Sequence, residues 1–155
     1  MSDKQPIKSG DAAADFTLKD NRNNDVRLAD LKGRKVLLSF HPLAWTDVCA
    51  KQMQALEDNK QVFASLNTVA FGISVDPVPT KNAWAKKLGV KETKLLSDFW
   101  PHGAIAKKYG VFRDTEGFSE RANIIINEDQ SLLCVKVYDI PQLPDINEII
   151  ALLAG

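Results

Sequence analysis

The sequence predicts an α/β domain built on a mixed β-sheet. Three observations indicate this class: apolar runs of strand type at residues 36–40 and 68–75, apolar residues at helical spacing after each run, and a closing hairpin pattern. The chain has 155 residues, the length of one ordinary domain. We therefore expect residues 1–155 to form a single domain.

The first half of the chain predicts a hairpin, a buried strand and a helix. Segments 16–18 and 26–28 alternate apolar and polar residues around a turn-rich run, which indicates an N-terminal β-hairpin. The run 36–40 indicates a strand covered on both faces. Beyond it, four apolar residues fall at helical spacing, namely Met53, Leu56, Phe63 and Leu66. Thr46 is a suitable N-cap, so this helix begins just before Cys49.

The second half continues the alternation of strands and helices. The expected elements are a strand over 68–75, a helix over 79–88 that stops at Gly89, a strand over 94–97, a helix over 101–109 closed by Gly110, a hairpin over 121–126 and 131–138, and a last helix carrying Ile146, Ile149, Ile150 and Leu153. A β-α-β unit followed by a β-β-α unit is the plan of the thioredoxin-like fold. We expect a central mixed sheet flanked by helices, with an N-terminal β-hairpin extension.

Composition excludes several classes of function. Basic and acidic residues both number 20, so no net field attracts nucleic acid or an anionic membrane. No stretch approaches the ~20 apolar residues of a membrane span, and the polar segment 1–11 has no secretory signal pattern. We expect a soluble, cytoplasmic protein. Cys49 and Cys134 are too few for a disulfide scaffold and lack the clustered spacing of a metal site.

Cys49 is a candidate nucleophile because of its place in the predicted helix. If Thr46 is the N-cap, Cys49 is the third helical residue, where free backbone N–H groups and the helix dipole favour a thiolate. The competing interpretation is a small buried hydrophobe on the core face of the helix. Helix position alone leaves both interpretations open.

The spacing Pro-x-x-x-Thr-x-x-Cys favours the nucleophile. Pro42 stiffens the loop and can shield sulfur from water, the Thr46 hydroxyl can bond a peroxide oxygen, and Cys49 attacks. Arg121 opens a strand expected beside strand 36–40, so its guanidinium could reach the sulfur and stabilise the departing oxygen. Taken singly, these residues could instead be a loop proline, a helix cap and a surface arginine at a hairpin.

Several ordered segments resemble the peroxiredoxin family over nearly the whole chain. Segments 15–18, 40–49 and 119–127 resemble its N-terminal segment, peroxidatic loop and arginine strand. Further segments are similar to its one-cysteine, alkyl hydroperoxide reductase E-type branch, at 72–76, 83–85, 96–103 and 109–112. Three residues depart from the family pattern, namely Ala14, Ala50 and Gln52.

The resemblance implies a thiol-dependent peroxidase active in antioxidant defence. Cys49 would cycle between thiolate and sulfenic acid, with Pro42, Thr46 and Arg121 completing the catalytic site. Hydrogen peroxide and organic hydroperoxides would yield water or an alcohol. The resemblance implies no metal or organic cofactor, and it implies a homodimer.

Cys134 is the other cysteine, inside the predicted strand 131–138. Strict alternation places it on one face with Leu132 and Tyr138, as a half-buried and unreactive residue. We favour a one-cysteine cycle reduced by an external thiol, which could be thioredoxin, glutaredoxin or a low-molecular-weight thiol. A resolving role for Cys134 is the less favoured alternative.

The remaining candidates concern the substrate pocket. Trp45 and Trp100 are expected in loops near the site, where they could line a substrate mouth or a dimer contact. His41 and Gln52 are further pocket candidates, although a packed or solvated role is favoured for His41 and also for His102. Trp84, on a helix, is expected in the core.

Two other functions compete with a peroxidase. A disulfide oxidoreductase is disfavoured because the chain has no Cys-x-x-Cys, position 52 being glutamine. A thioredoxin-like binding or holdase module would keep the fold without turnover. Thiol-dependent consumption of peroxide distinguishes this module from an enzyme.

Overall fold

A seven-stranded mixed β-sheet organises the chain in the computed structural model, which describes residues 7–155. Residues 1–6 of the polar N-terminal segment lie outside the described range. The strands are β1 Thr17–Lys19, β2 Asp25–Arg27, β3 Lys35–Phe40, β4 Thr68–Ser74, β5 Lys94–Ser97, β6 Phe112–Arg113, β7 Phe118–Ser119, β8 Arg121–Ile126 and β9 Leu132–Tyr138. The helices are α1 Asp47–Asp58, α2 Lys60–Ser65, α3 Val78–Leu88, α4 Ala104–Lys108 and α5 Ile146–Ala154, with a short 3-10 helix at Leu28–Leu31.

The strand order is β2-β1-β5-β4-β3-β8-β9. Strands β3, β4 and β5 run parallel, whereas β8 is antiparallel to β3, β9 to β8, and β1 to β5. Strands β6 and β7 form a separate small hairpin. The predicted mixed sheet flanked by helices is confirmed, as is the N-terminal hairpin of β1 and β2. Among the described residues, no helix combines the length and apolar character needed to cross a bilayer.

Strand β3 separates two halves of the core. Successive side chains point to opposite faces of a strand, so Val36, Leu38 and Phe40 pack beneath the N-terminal hairpin and α4, while Leu37 packs beneath the helices of the other face. Trp84 is buried on this second face, as predicted, together with Cys49. The helix that carries Cys49 therefore lies on the Leu37 face of the sheet.

Gly72 allows α1 to lie close to the sheet. A Cβ atom at this position of β4 would overlap the sulfur of Met53 on α1. Met53 is fully buried and lies one helical turn after Cys49, on the same side of α1. A larger residue at position 72 would therefore displace the ends of the Met53 and Leu95 side chains between α1 and the sheet.

Two predicted helices differ from those observed. The run expected as one helix after Cys49 is divided at Asn59 (φ −104°, ψ 13°), which ends α1 and precedes α2. The helix expected over 101–109 is shortened to α4, because Gly103 adopts a left-handed conformation (φ +69°) immediately before it. Gly89 ends α3 in the left-handed conformation, which confirms the predicted stop.

A β-bulge changes the predicted orientation of Cys134. The pairing of β8 with β9 shifts between Ile125 and Ile126, so Leu132 pairs with Ile126 and Cys134 pairs with Ile125. Leu132 and Cys134 consequently belong to opposite faces of the sheet, and the expectation that they share a face is wrong. Cys134 is half-buried, as predicted, and keeps the face of Tyr138.

Glu57, near the end of α1, is a stability determinant that we predict from its contacts. Its carboxylate accepts hydrogen bonds from the backbone N–H groups of Lys91, Glu92 and Thr93, just before β5. Burial opposes its ionisation, but these bonds and the one from Lys60 lower the pKa of Glu57 to about 2.

Glu57→Gln should lower the free energy of unfolding at neutral pH by ~1–3 kcal/mol, since hydrogen bonds to a charged acceptor are lost. Because the folded pKa lies below the ordinary 4.5, the difference should be complete above about 4.5 and vanish as the pH falls towards about 2. Urea unfolding across this range measures it. Glu92→Gln, at an exposed carboxylate, is the control; equal losses in both variants would contradict the prediction.

Candidate active site

The loop between β3 and α1 has a constrained backbone. Trp45 adopts a left-handed conformation (φ +68°), which is unfavourable for a bulky residue. Two hydrogen bonds hold the turn around it: Thr46 Oγ1 donates to the carbonyl of Leu43 at 2.9 Å, and the N–H of Ala44 donates to Asp76 Oδ2 at 2.8 Å. The surrounding contacts therefore impose a conformation that this segment would not adopt alone.

Thr46 occupies the predicted N-cap position, with an extended backbone (φ −115°, ψ 152°). Its hydroxyl does not cap the helix, because it donates to Leu43 instead. The prediction of a side-chain cap is wrong, while the predicted start of the helix is correct. The Thr46 oxygen keeps its lone pairs available as hydrogen-bond acceptors at the edge of the site.

Cys49 is the third residue of α1 and is fully buried by its neighbours. Backbone N–H groups in the first turn of a helix have no partner within the helix, so this position favours a negative charge. The Sγ atom lies 3.3 Å from Nη1 of Arg121. The arrangement places a permanent cation in contact with the sulfur.

The arginine reaches the sulfur because β8 pairs with β3. Ala122 is opposite Phe40, so Arg121 stands beside the end of β3 where the loop to α1 begins. Its Nε atom donates to the carbonyl of Ile140 at 2.8 Å, and Nη1 also donates to Gln52 Oε1 at 2.7 Å. Contacts on two sides thus fix the orientation of the guanidinium plane.

Gln52 links this arginine to the sheet. Its Nε2 atom donates to Ser39 Oγ at 2.6 Å and to the carbonyl of Phe40 at 3.1 Å, while its Oε1 accepts from Arg121. The Ser39 hydroxyl in turn donates to Asn123 Oδ1. Gln52 is buried behind the site, and its amide holds Arg121 through a neutral acceptor.

A cavity of about 360 Å³ opens onto Cys49. Its walls are mainly apolar, with a polar end where Cys49 meets Arg121, and Thr46 also belongs to the lining. Pro42, Leu43, Asp47, Val48, Phe118, Ile140 and Pro141 complete the lining. Sequence patterns missed Phe118, Ile140 and Pro141. The pairing of Arg121 with Tyr138 brings the segment of Ile140 and Pro141 to the arginine, while Phe118 lies on β7, three residues before it. Four predicted residues, Pro42, Thr46, Cys49 and Arg121, thus meet at one cavity.

The four residues predicted for the substrate pocket, His41, Trp45, Gln52 and Trp100, are absent from the lining of this cavity. His41 is fully buried beside Lys81 and contributes nothing to its lining. Trp45 is 54% exposed, and Trp100 is 80% exposed on a separate cavity with Phe99. The predicted proximity of Trp100 to the site is therefore not found. His102 is exposed, in agreement with a solvated role.

We predict that Gln52→Met destabilises the protein, because the substitution leaves the buried Phe40 carbonyl and Ser39 hydroxyl without the amide donor. The free energy of unfolding should fall by ~1–3 kcal/mol, the cost of unsatisfied buried polar groups. Urea unfolding under reducing conditions measures the loss. Gln54→Met, on the same helix and with one long hydrogen bond to Leu88, should change stability much less. A small effect at both positions would contradict the assigned role.

The chain matches the model of the AhpC/TSA family over residues 9–133. It is 41% identical over 122 residues to alkyl hydroperoxide reductase E of Mycobacterium tuberculosis (strain ATCC 25618 / H37Rv), covering 78% of this chain and 79% of the relative. It is also 33% identical over 153 residues to peroxiredoxin-1 of Gallus gallus, covering 92% of this chain and 76% of the relative.

Solved structures agree with these relatives. Peroxidoxin BcpB from Mycobacterium tuberculosis superposes with a TM-score of 0.83 at 30% identity, covering 96% of this chain and 97% of that chain. Reduced 2-Cys peroxiredoxin from Plasmodium vivax superposes with a TM-score of 0.87 at 29% identity, covering 96% and 81%. The predicted thioredoxin-like fold is confirmed. With its cysteine and arginine in contact at the end of a shared cavity, the chain belongs to the AhpC/TSA family of peroxiredoxins and is a thiol-dependent peroxidase.

Proposed function

We propose that Cys49, Thr46, Pro42 and Arg121 are the catalytic residues with which this peroxidase reduces hydrogen peroxide and organic hydroperoxides. The observation that carries the proposal is the 3.3 Å contact between Cys49 Sγ and Arg121 Nη1 at the polar end of the cavity. A thiolate nucleophile and a fixed cation at one point are what cleavage of an O–O bond requires.

The reaction follows from the positions of these groups. The Cys49 thiolate attacks one peroxide oxygen, an S–O bond forms as the O–O bond breaks, and negative charge moves onto the departing oxygen. Arg121 stabilises this charge, because its guanidinium is already oriented by Gln52 and Ile140. The Thr46 oxygen, whose proton is committed to Leu43, accepts a hydrogen bond from the peroxide O–H.

The cavity favours organic hydroperoxides that carry an apolar substituent. Most of its walls are apolar side chains, including Leu43, Val48, Phe118 and Ile140. Burial of such a substituent contributes roughly 25 cal/mol for each Å² removed from water. Hydrogen peroxide fits the polar end but gains nothing from these walls.

We propose a one-cysteine cycle with an external thiol reductant. Arg121, in contact with Cys49, is opposite Tyr138, whereas Cys134 is opposite Ile125, so the two sites are about 13 Å apart along the strand at ~3.3 Å per residue. A disulfide requires Cα atoms within about 7 Å. Burial also raises the pKa of the Cys134 thiol, which disfavours its thiolate.

Intact mass after one equivalent of peroxide tests the one-cysteine cycle. We expect a gain of one oxygen on Cys49, or a mixed disulfide when a small thiol is present. Cys134→Ser should give the same product as the unmodified chain. A loss of two hydrogens without oxygen gain, absent from Cys134→Ser, would contradict the proposal.

Replacement of the cation tests the catalytic assignment. Arg121→Lys keeps a charge but loses the planar fork, so the rate of reaction with hydrogen peroxide should fall by ~10² or more. Stopped-flow tryptophan fluorescence follows the reaction, with Trp45 near the sulfur in sequence. Cys49→Ser should show no fast phase, while Arg113→Lys, at a surface ion pair, should react normally. A normal rate in Arg121→Lys would exclude the assigned role.

We also propose that the protein forms a homodimer and is located in the cytoplasm. Phe99 and Trp100 are exposed next to each other in the loop after β5, on a cavity that Pro77 also lines, which supports a homodimer that covers this surface. A cycle that consumes thiol reductant, supplied by thioredoxin, glutaredoxin or a small thiol, supports a cytoplasmic location.

The alternative, a non-catalytic holdase module, is not favoured, because it gives no reason for the contact between Cys49 and Arg121.

A further inference from the structure

Asp76 is a carboxylate behind the loop of the active site, residues 41–46, that the proposed reaction does not use. It lies two residues after the end of β4 and is absent from the lining of the cavity at Cys49. Its Oδ2 atom accepts two hydrogen bonds, from the backbone N–H of Ala44 at 2.8 Å and from Ser74 Oγ at 2.6 Å. One oxygen of this side chain therefore joins the loop to β4.

The Asp76 carboxylate is fixed from two sides. Lys81 Nζ donates to Ser74 Oγ, so the Ser74 hydroxyl is left to donate to Asp76. The backbone carbonyl of Asp76 accepts from Ser97 Oγ at 2.7 Å, which ties this segment to the end of β5. Lys81 and Ser74 are both buried. Asp76 is thus an acceptor held in one place for the loop.

Ala44 is the point where this acceptor meets the strained part of the loop. The next residue, Trp45, adopts the left-handed conformation (φ +68°), which costs free energy for a residue with a bulky side chain. Within residues 7–155, the bond from Ala44 to Asp76 is the only hydrogen bond between segment 42–46 and a side chain outside it. Asp76 therefore offsets part of the cost of this turn.

The turn sets the direction of the Thr46 hydroxyl. It brings the Leu43 carbonyl to 2.9 Å from Thr46 Oγ1, which donates its proton there. The oxygen is then left to accept, and the proposed reaction uses it to accept from the peroxide O–H. Cys49 is held separately, by α1 and by its contact with Arg121. Loss of the Asp76 contact should therefore displace the bound peroxide and leave the sulfur in place.

We propose that Asp76 is a positioning residue for peroxide, because its carboxylate holds the turn that orients Thr46 toward the substrate. The inference rests on the proposed function, in which Thr46 binds the peroxide. Since Asp76 does not line the cavity, it acts through the backbone of Ala44. Its removal should slow the attack on peroxide and preserve the reactivity of the Cys49 thiolate toward other electrophiles.

Two reactions of Cys49, measured side by side, test this inference. Peroxide needs the oriented loop, whereas iodoacetamide needs only a thiolate, since an S–C bond forms as iodide departs. A Cys134→Ser background confines both reactions to Cys49, and intact mass of quenched samples gives both rates at one pH. Asp76→Ala should lower the rate with hydrogen peroxide at least ~10-fold, while the rate of alkylation should fall by no more than about twofold.

Two further variants serve as rescue and control. Asp76→Asn keeps a side-chain oxygen that can accept from Ala44, so it should restore most of the rate with peroxide. Asp20→Ala is the matched control, because Asp20 is a buried carboxylate that accepts two backbone N–H groups in the N-terminal hairpin, from Arg22 and Asn24. Its loss should change neither rate. If Asp76→Ala fails to fold, Asp76→Ser carries the same expectation, since its oxygen lies too close to its own backbone to reach Ala44.

Three outcomes would overturn this inference alone: an unchanged rate with peroxide in Asp76→Ala, an equal fall in both reactions, or a rate in Asp76→Asn as low as in Asp76→Ala. An equal fall would mean that the substitution damages the thiolate or the fold and leaves the placement of peroxide unaffected. Failure of the chain with its native Asp76 to react with peroxide faster than free cysteine would instead overturn the proposed function.

Discussion

The contact between the Arg121 guanidinium and the Cys49 sulfur depends on the antiparallel register of β3 and β8. That register places Arg121 beside the end of β3. The loop after β3 then leads into α1, which brings Cys49 to the arginine. Gln52 and the Ile140 carbonyl then fix the orientation of the guanidinium. Because both of these partners are neutral acceptors, the cation keeps its full charge for the sulfur and for an oxygen that departs from it.

Local sequence patterns predicted the strands and the helix that carry the site. The orientation of Cys134 and the hydrogen bond of Thr46 depend on tertiary contacts, which these patterns do not contain. The buried strand β3, the start of α1 and the placement of Arg121 beside β3 follow from runs of apolar residues and from spacing. The bulge that turns Leu132 away from Cys134 leaves no sequence signal, because the residues around it are all apolar. The Thr46 hydroxyl could likewise accept a hydrogen bond from an N–H group of α1 or donate one to a nearby carbonyl, and in the turn at Trp45 it donates to Leu43.

His41 and Lys81 carry no strong sequence signal, yet both are fully buried behind the loop of the active site. A histidine in a loop is usually solvated or packed, and His41 is indeed packed, yet its neighbour is a buried lysine rather than an apolar side chain. Lys81 precedes the buried Trp84 and Ala85 by three and four residues, so helical spacing places it on their face of α3, although a charged side chain adds nothing to an apolar pattern. Its contact with Ser74 is known only from the packing of α3 on β4. The hydrogen bonds that join His41, Lys81, Ser74 and Asp76 link residues that are far apart in the sequence, so only the folded structure shows them.

The close approach of α1 to β4 at Gly72 has a consequence for how this site can diverge in evolution. Met53 rests on the bare backbone there, and Cys49 stands one turn earlier on the same side of the helix. Any side chain at position 72 would displace the ends of the Met53 and Leu95 side chains, so the packing one turn from Cys49 would change even though position 72 touches no reacting atom. Evolution can therefore enlarge this strand residue only together with a change at Met53 or Leu95, which links position 72 to the helix that carries the nucleophile.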